Sequence, residues 1–424
     1  MKTPTPRCPL LFLALLSVWG GFLLSAAADW PQWRGPDQNG HSPDSGLLSE
    51  WPEKGPELLW TFENAGEGYS APVIVGDSLY TLGSRQGQAE LLCLDLTTGQ
   101  EKWSTVIGPD PKSGYKTGWG SGTRGSPTVK GGLAFALSAN GMLLCADAET
   151  GAKKWSVHLL DDLNGVIPKW GYAESPLVDG NQVVVTPGGA EGAIAAFDKT
   201  DGSLLWRSTG LEDGAQYSSL VITEAHNQRQ YVQLFMNTLA GVDPSNGDLL
   251  WSALWRPGRV AVIPTPIAQE EKVYISAGYG AGCLKLDISG PEPTKLWDNK
   301  VMKNHHGGVI LHDGYLYGFS DGLGLTCQSW ETGEEVWSQE KGGLKKGSLT
   351  YADGHFYCLE QAKGMVVLVE ATPEAYGEKG RFFLPELSSS RDTHKGQVWS
   401  HPVVVDGKLF LRDQELLFCY QVGS

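Results

Sequence analysis

Two stretches, Asp95-Leu96-Thr97-Thr98-Gly99-Gln100-Glu101-Lys102-Trp103 and Asp147-Ala148-Glu149-Thr150-Gly151-Ala152-Lys153-Lys154-Trp155, share the pattern Asp-x-x-Thr-Gly-x-x-x-Trp. It recurs as Asp198, Asp201, Gly202 and Trp206, as Asp243, Asn246, Gly247 and Trp251, and as Ser329, Thr332, Gly333 and Trp337. A degenerate copy runs from Asp287 to Trp297 with Pro291 and Pro293 inserted. From Trp60 through these tryptophans the spacing is 40 to 52 residues, the period of one propeller blade. The local physics is that of a turn: Asp accepts backbone hydrogen bonds, Gly takes positive φ, and Trp follows in the outgoing strand. A repeated buried indole removes roughly 150 to 250 Å² from water, so these side chains are expected to dock blade on blade.

Each repeat opens on a second signature, an opener followed eight residues later by an apolar or aromatic strand residue, as in Pro72 to Tyr80 and Pro402 to Phe410. Hairpin turns lie between, including the Asp-Gly pairs starting at Asp179, Asp313, Asp353 and Asp406. The openers Pro72, Pro127, Pro176, Leu220, Pro266, Val309, Leu349 and Pro402 count eight blades. The last lacks an outer strand, and the segment Glu57-Leu58-Leu59-Trp60 is a strand without a blade. Pairing that segment with Leu416–Tyr420 predicts an all-β, eight-bladed β-propeller closed by an N-terminal strand, with no exposed sheet edge at the seam.

The 424 residues carry 33 Lys and Arg against 48 Asp and Glu. Lys2 and Arg7, an apolar run from Pro9 to Leu24 and the small residues Ser25 to Ala28 read as a signal peptide over residues 1–28. The expected mature chain is exported, periplasmic or extracellular, soluble and monomeric, with no membrane span. Its net charge near −17 makes nucleic acid a poor partner. Residues 29–57, with Trp30, Trp33 and Trp51, read as an irregular cap, and residues 58–422 as the propeller. Of the cysteines, Cys93, Cys145 and Cys327 stand two residues before a turn, where Ala196 and Gly241 occupy other copies; they read as small buried residues, not as a disulfide framework.

The turns, over roughly residues 58 to 420, resemble the repeats of the pyrroloquinoline-quinone-like (PQQ-like, quinoprotein-type) propeller superfamily. One branch of that superfamily implies quinone-dependent alcohol dehydrogenases, another an outer-membrane assembly lipoprotein that acts as a scaffold. The segments Trp30-Pro31-Gln32-Trp33-Arg34-Gly35-Pro36 and Asn304-His305-His306-Gly307-Gly308 look like those of exported propellers common in planctomycete-type bacteria. The enzyme branch implies adjacent cysteines, a stacking Trp, and Glu, Asn and Asp ligands to calcium. This sequence has no adjacent cysteines and no run matching the calcium motif, so neither PQQ nor Ca²⁺ is expected as a cofactor.

Innermost strands line a propeller's channel, so residues just before the openers converge near one mouth. Three before them stand Tyr69, Arg124, Ala173, Tyr217, Ile263, His306, Lys346 and Trp399, and two before the third opener stands Glu174. Tyr69, Tyr217 and Trp399 offer flat walls, Arg124 and Lys346 positive charge, and His306 a titratable group. The expectation is a binding site for a small anionic or aromatic ligand, or for an unknown protein partner, on a scaffold without catalytic residues or metal. A diverged quinone-dependent dehydrogenase is the alternative. The same residues would also serve as a channel filling, with Glu174 paired to Arg124.

Overall fold

A computed structural model describes residues 29–255, 261–339 and 343–424, together with Met1 and Thr3. The leader expected over residues 1–28 is otherwise outside the described residues. No described helix is long and apolar enough to cross a membrane. The described chain forms eight four-stranded antiparallel sheets, and the only described helical element is a short 3₁₀ turn at Ser389–Thr393.

Blades one to eight begin with the inner strands Val73–Val75, Thr128–Lys130, Leu177–Asp179, Val221–Ala225, Ile267–Gln269, Asn304–His312, Gly347–Ala352 and Val403–Val405. Seven sheets are meanders of consecutive strands. The eighth takes its outer strand from the other end of the molecule: Glu57–Phe62 pairs with Leu416–Gln421, placing Trp60 opposite Cys419 and Thr61 opposite Phe418. Ring closure and blade count are those of the sequence reading.

The repeated turn proves to be a joint between blades. Asp95 Oδ1 accepts hydrogen bonds from the Thr97 and Thr98 amides and the Thr98 hydroxyl, and Asp147 repeats the arrangement. The indole of the preceding blade then lies on the turn. Trp60 Nε1 donates to the Leu96 carbonyl at 3.3 Å, Trp103 to Glu149 at 2.9 Å and Trp155 to Lys199 at 3.0 Å. A Cβ on Gly151 would sit 2.6 Å from the Trp103 ring, so this glycine is required both by its φ of 72° and by the neighbouring blade.

The residue two before each turn faces the Trp across the ladder: Cys93 opposite Trp103, Cys145 opposite Trp155, Ala196 opposite Trp206, Gly241 opposite Trp251. A small side chain leaves room for the indole there, and cysteine recurs in that place; in blade five the buried Lys285 stands opposite Trp297 instead, its ammonium bonded to the Trp330 carbonyl at 2.7 Å. The six described cysteines are buried and unpaired, and burial pushes the Cys93 thiol up to about 11 and Cys145 to about 12.

Blade seven has no outer-strand Trp of its own. Trp51 fills the place: its amide bonds to the Lys379 carbonyl at 2.9 Å, and its ring meets Tyr357 at 5.8 Å, a pairing like that of Trp103 with Tyr80 at 5.9 Å. The rest of the N-terminal segment crosses the ring on the hairpin side of the inner strands. Trp30 exchanges backbone hydrogen bonds with Ile74, the Pro31 carbonyl accepts from Val129, Arg34 Nη2 donates to Val309 at 2.6 Å, and Ser42 bonds to Tyr351. The cap expected over residues 29–57 is therefore a plug across one end of the channel.

Candidate functional site

At the opposite end, where the inner strands begin, lies a cavity of about 570 Å³. All eight residues of the row three before the openers line it, so Tyr69, Arg124, Tyr217, His306, Lys346 and Trp399 are brought together from six blades, with Ala173 and Ile263 completing the circle. The segments before the inner strands are extended, and extended backbone alternates its side chains. The row one before the openers therefore also faces inward through Ser175, Ser219 and His401.

Glu174, in the row between, is turned away. Its carboxylate accepts from the Thr186 amide and, at 2.8 Å, from the Thr186 hydroxyl, with the Gln233 amide 3.3 Å away, and it does not line the cavity. The pairing of Glu174 with Arg124 envisaged from sequence is absent for that reason. Burial pushes the Glu174 carboxyl up to about 7.

Arg124 is fixed by the backbone. Its Nε donates to the Trp170 carbonyl at 2.8 Å and its Nη2 to Gly120 at 2.7 Å, and the guanidinium carbon stands 5.2 Å from the centroid of Tyr69. No carboxylate pairs with it among the described residues. Lys346 differs, since its ammonium meets Asp321 at 2.7 Å and its charge is locally offset.

His306 also departs from the titratable cation expected from sequence. Gln361 Oε1 accepts from Trp399 Nε1 at 2.9 Å and faces His306 Nε2 at 2.8 Å. An indole N–H only donates, so that Gln361 atom is the oxygen, and His306 carries its proton on Nε2. Burial, with His305 beside it, holds His306 well below the usual imidazole range. Burial likewise takes His305 down to about 4 and His401 to about 3, so all three imidazoles are neutral at pH 6 to 8.

Of the other lining residues, Trp119, Trp170 and Gln397 come from the long connections between blades, Tyr279 and Gln361 from the short turns between the second and third strands of blades five and seven, and His305 from the inner strand of blade six. Trp33 arrives from the plug, donates to Thr265 Oγ1 at 2.9 Å, packs edge-on against His401 at 4.5 Å and floors the cavity. Trp119 and Tyr279, each about half exposed, stand at the rim.

The quinone and calcium pair of the dehydrogenase branch does not fit this donor set. The described cavity lining contains no carboxylate, no described group of three or more metal-ligating residues is assembled, and the six described cysteines lie in six different blades.

A family model described as outer membrane protein assembly factor BamB matches residues 87–339 and 293–374. A protein of that name from Burkholderia pseudomallei (strain K96243) is 26% identical over 296 residues, covering 60% of this chain and 71% of its own. Among solved structures, BamB from Moraxella catarrhalis superposes with a TM-score of 0.60 at 15% identity, over 86% of this chain and 99% of that one. A quinohemoprotein alcohol dehydrogenase from Comamonas testosteroni superposes with a TM-score of 0.69 at 14% identity, over 93% and 81%. At such identities the superpositions speak for the fold alone.

Proposed function

Since the chain belongs to the PQQ-like repeat family whose model is described as outer membrane protein assembly factor BamB, we propose that it acts by binding, as a non-catalytic propeller of the cell envelope, and that the cavity at the open end of the channel is its binding site. Location in the envelope rests on the leader-like first 28 residues and on the assembly-factor relative. The observation that carries the binding reading is Arg124, a guanidinium held still by two carbonyls, without a carboxylate partner among the described residues, in an aromatic-walled cavity floored by Trp33. A preorganised donor of this kind costs little to order when an anionic group arrives.

The test is a thermal-shift and tryptophan-fluorescence screen of small carboxylates against the intact protein. Arg124→Glu is expected to keep its folding transition and lose any anion-dependent stabilisation, and an unchanged ligand response would remove the cavity from the reading. The alternative, from the other branch that the repeat turns resemble, is a diverged quinone-dependent dehydrogenase. Titration with the quinone and calcium, followed by dye-linked alcohol oxidation, separates the two: turnover would displace the binding reading.

A further inference from the structure

Four features of the cavity narrow the class of ligand. First, among the described residues its charge is single. The Lys346 ammonium is matched by Asp321 at 2.7 Å, the lining imidazoles are neutral, and Arg124 is left as the one uncompensated charge of the described lining. A polyphosphate would need more cations than that, and a quaternary ammonium would be repelled by Arg124.

Second, the aromatic rings that touch one another do not form slots. A flat ring held between two walls needs parallel faces about 7 Å apart, twice the carbon contact distance of about 3.5 Å. Here the rings pack on one another, Tyr69 on Trp399 at 5.2 Å and 43°, Trp119 against Trp399 at 6.3 Å and 35°, and Trp170 on Tyr217 at 5.9 Å and 50°. What they present to the cavity is one-sided platforms.

Third, donors are spread among those platforms. Gln361 spends its oxygen on Trp399 and His306, and its NH₂ has no hydrogen-bond partner among the described residues; nor has Arg124 Nη1. Fourth, about 570 Å³ is room for more than one ring-sized unit.

We propose that the cavity takes an acidic sugar, a uronate unit at the end of a saccharide. Its single carboxylate meets Arg124 Nη1, its apolar ring face lies on an exposed indole at the rim, and its hydroxyls meet the Gln361 NH₂. A puckered ring with one apolar face suits a one-sided platform, and a ring bearing many hydroxyls suits dispersed donors. This rests on the reading of the cavity as the binding site.

The experiment is tryptophan fluorescence and calorimetric titration of the mature protein with galacturonic acid and a short oligogalacturonate, against glucose, naphthoate and an acidic peptide. The oligouronate is expected to bind at least tenfold tighter than glucose. Arg124→Gln should weaken the oligouronate at least tenfold and leave glucose unaffected. Trp119→Ala is the second variant, since its half-exposed side chain makes no hydrogen bond among the described residues and its loss should leave folding intact. It should weaken every saccharide. Tighter binding of naphthoate or the peptide with the same Arg124 dependence would overturn the sugar assignment and leave the cavity reading standing. Uronate binding indifferent to both variants, or no response to any probe, would overturn both.

Discussion

Glu174 and Ala173 are neighbours in sequence and face opposite ways, and that difference sorts the candidate residues. The row three before the openers was legible because the repeat fixes its register, and alternation would have supplied His401 from the row one before. Glu174 was misplaced because a lone acid beside Arg124 invited a pairing that strand alternation forbids. Its actual surroundings give a pH prediction. The carboxyl titrates near 7 in the fold against an ordinary 4.5, so between those values the folded chain holds a proton that the unfolded chain has released. Stability from this group is full below about pH 4.5 and falls as pH rises through 7, by roughly 3 kcal/mol at about 1.4 kcal/mol per unit. In Glu174→Gln that fall should vanish: denaturant melts at pH 5 and pH 8 should show the wild type losing ground to the variant as pH rises. The neutral imidazoles give the opposite expectation for the cavity, a ligand affinity flat from pH 6 to 8.

Among the elements, the turn was readable as a motif but only half readable as physics. Asp, Thr and Gly announce local hydrogen bonds and a positive φ, while the reason the motif persists is the indole of the blade before it. Gly151→Ala separates the two requirements. Gly to Ala at a positive φ costs about 1 kcal/mol or a little more. Here the added carbon also meets the Trp103 ring at 2.6 Å, so urea unfolding should show a loss above 2 kcal/mol. Gly131, which has open space around a Cβ and a φ of 64°, is the control and should lose only the smaller amount. Trp155→Ala should cost about 3 to 5 kcal/mol as a large buried aromatic joining two blades. The long connections that carry Trp119 and Trp170 obey no period, and Tyr279 stands in a short turn inside blade five, which is why sequence spacing gave no sign that they line one cavity.

For the whole molecule, the ring closes through one ladder, the Trp60 indole on the turn of blade one, and a buried arginine. Arg412, fully buried in blade eight, donates to the carbonyls of Gln414, Ser70 and Leu82, to the Thr81 hydroxyl, and to the carbonyls of Ala65 and Gly66 in the connector from the closing strand to blade one. These groups belong to three segments that meet only at the seam. Burial lowers the guanidinium to about 9, a value at which it remains charged at neutral pH, and the carbonyls around it stand in place of water. Closure by pairing the two ends was legible in the unpaired strand at Glu57–Trp60, whereas nothing in the repeat marks Arg412, because all its partners but the Thr81 hydroxyl are backbone carbonyls that any sequence supplies. Arg412→Met would keep the volume and strand several buried acceptors, each worth about 1 to 3 kcal/mol when left unmet. The expected loss is at least 3 kcal/mol by denaturant melting. It should also be localised: amide exchange should quicken first in Glu57–Phe62 and Leu416–Gln421, ahead of blades three to five. Arg412→Lys should rescue little, since an ammonium has three donors for six acceptors. Uniform exchange across all blades, or full rescue by lysine, would show that the closing ladder holds the seam without this residue.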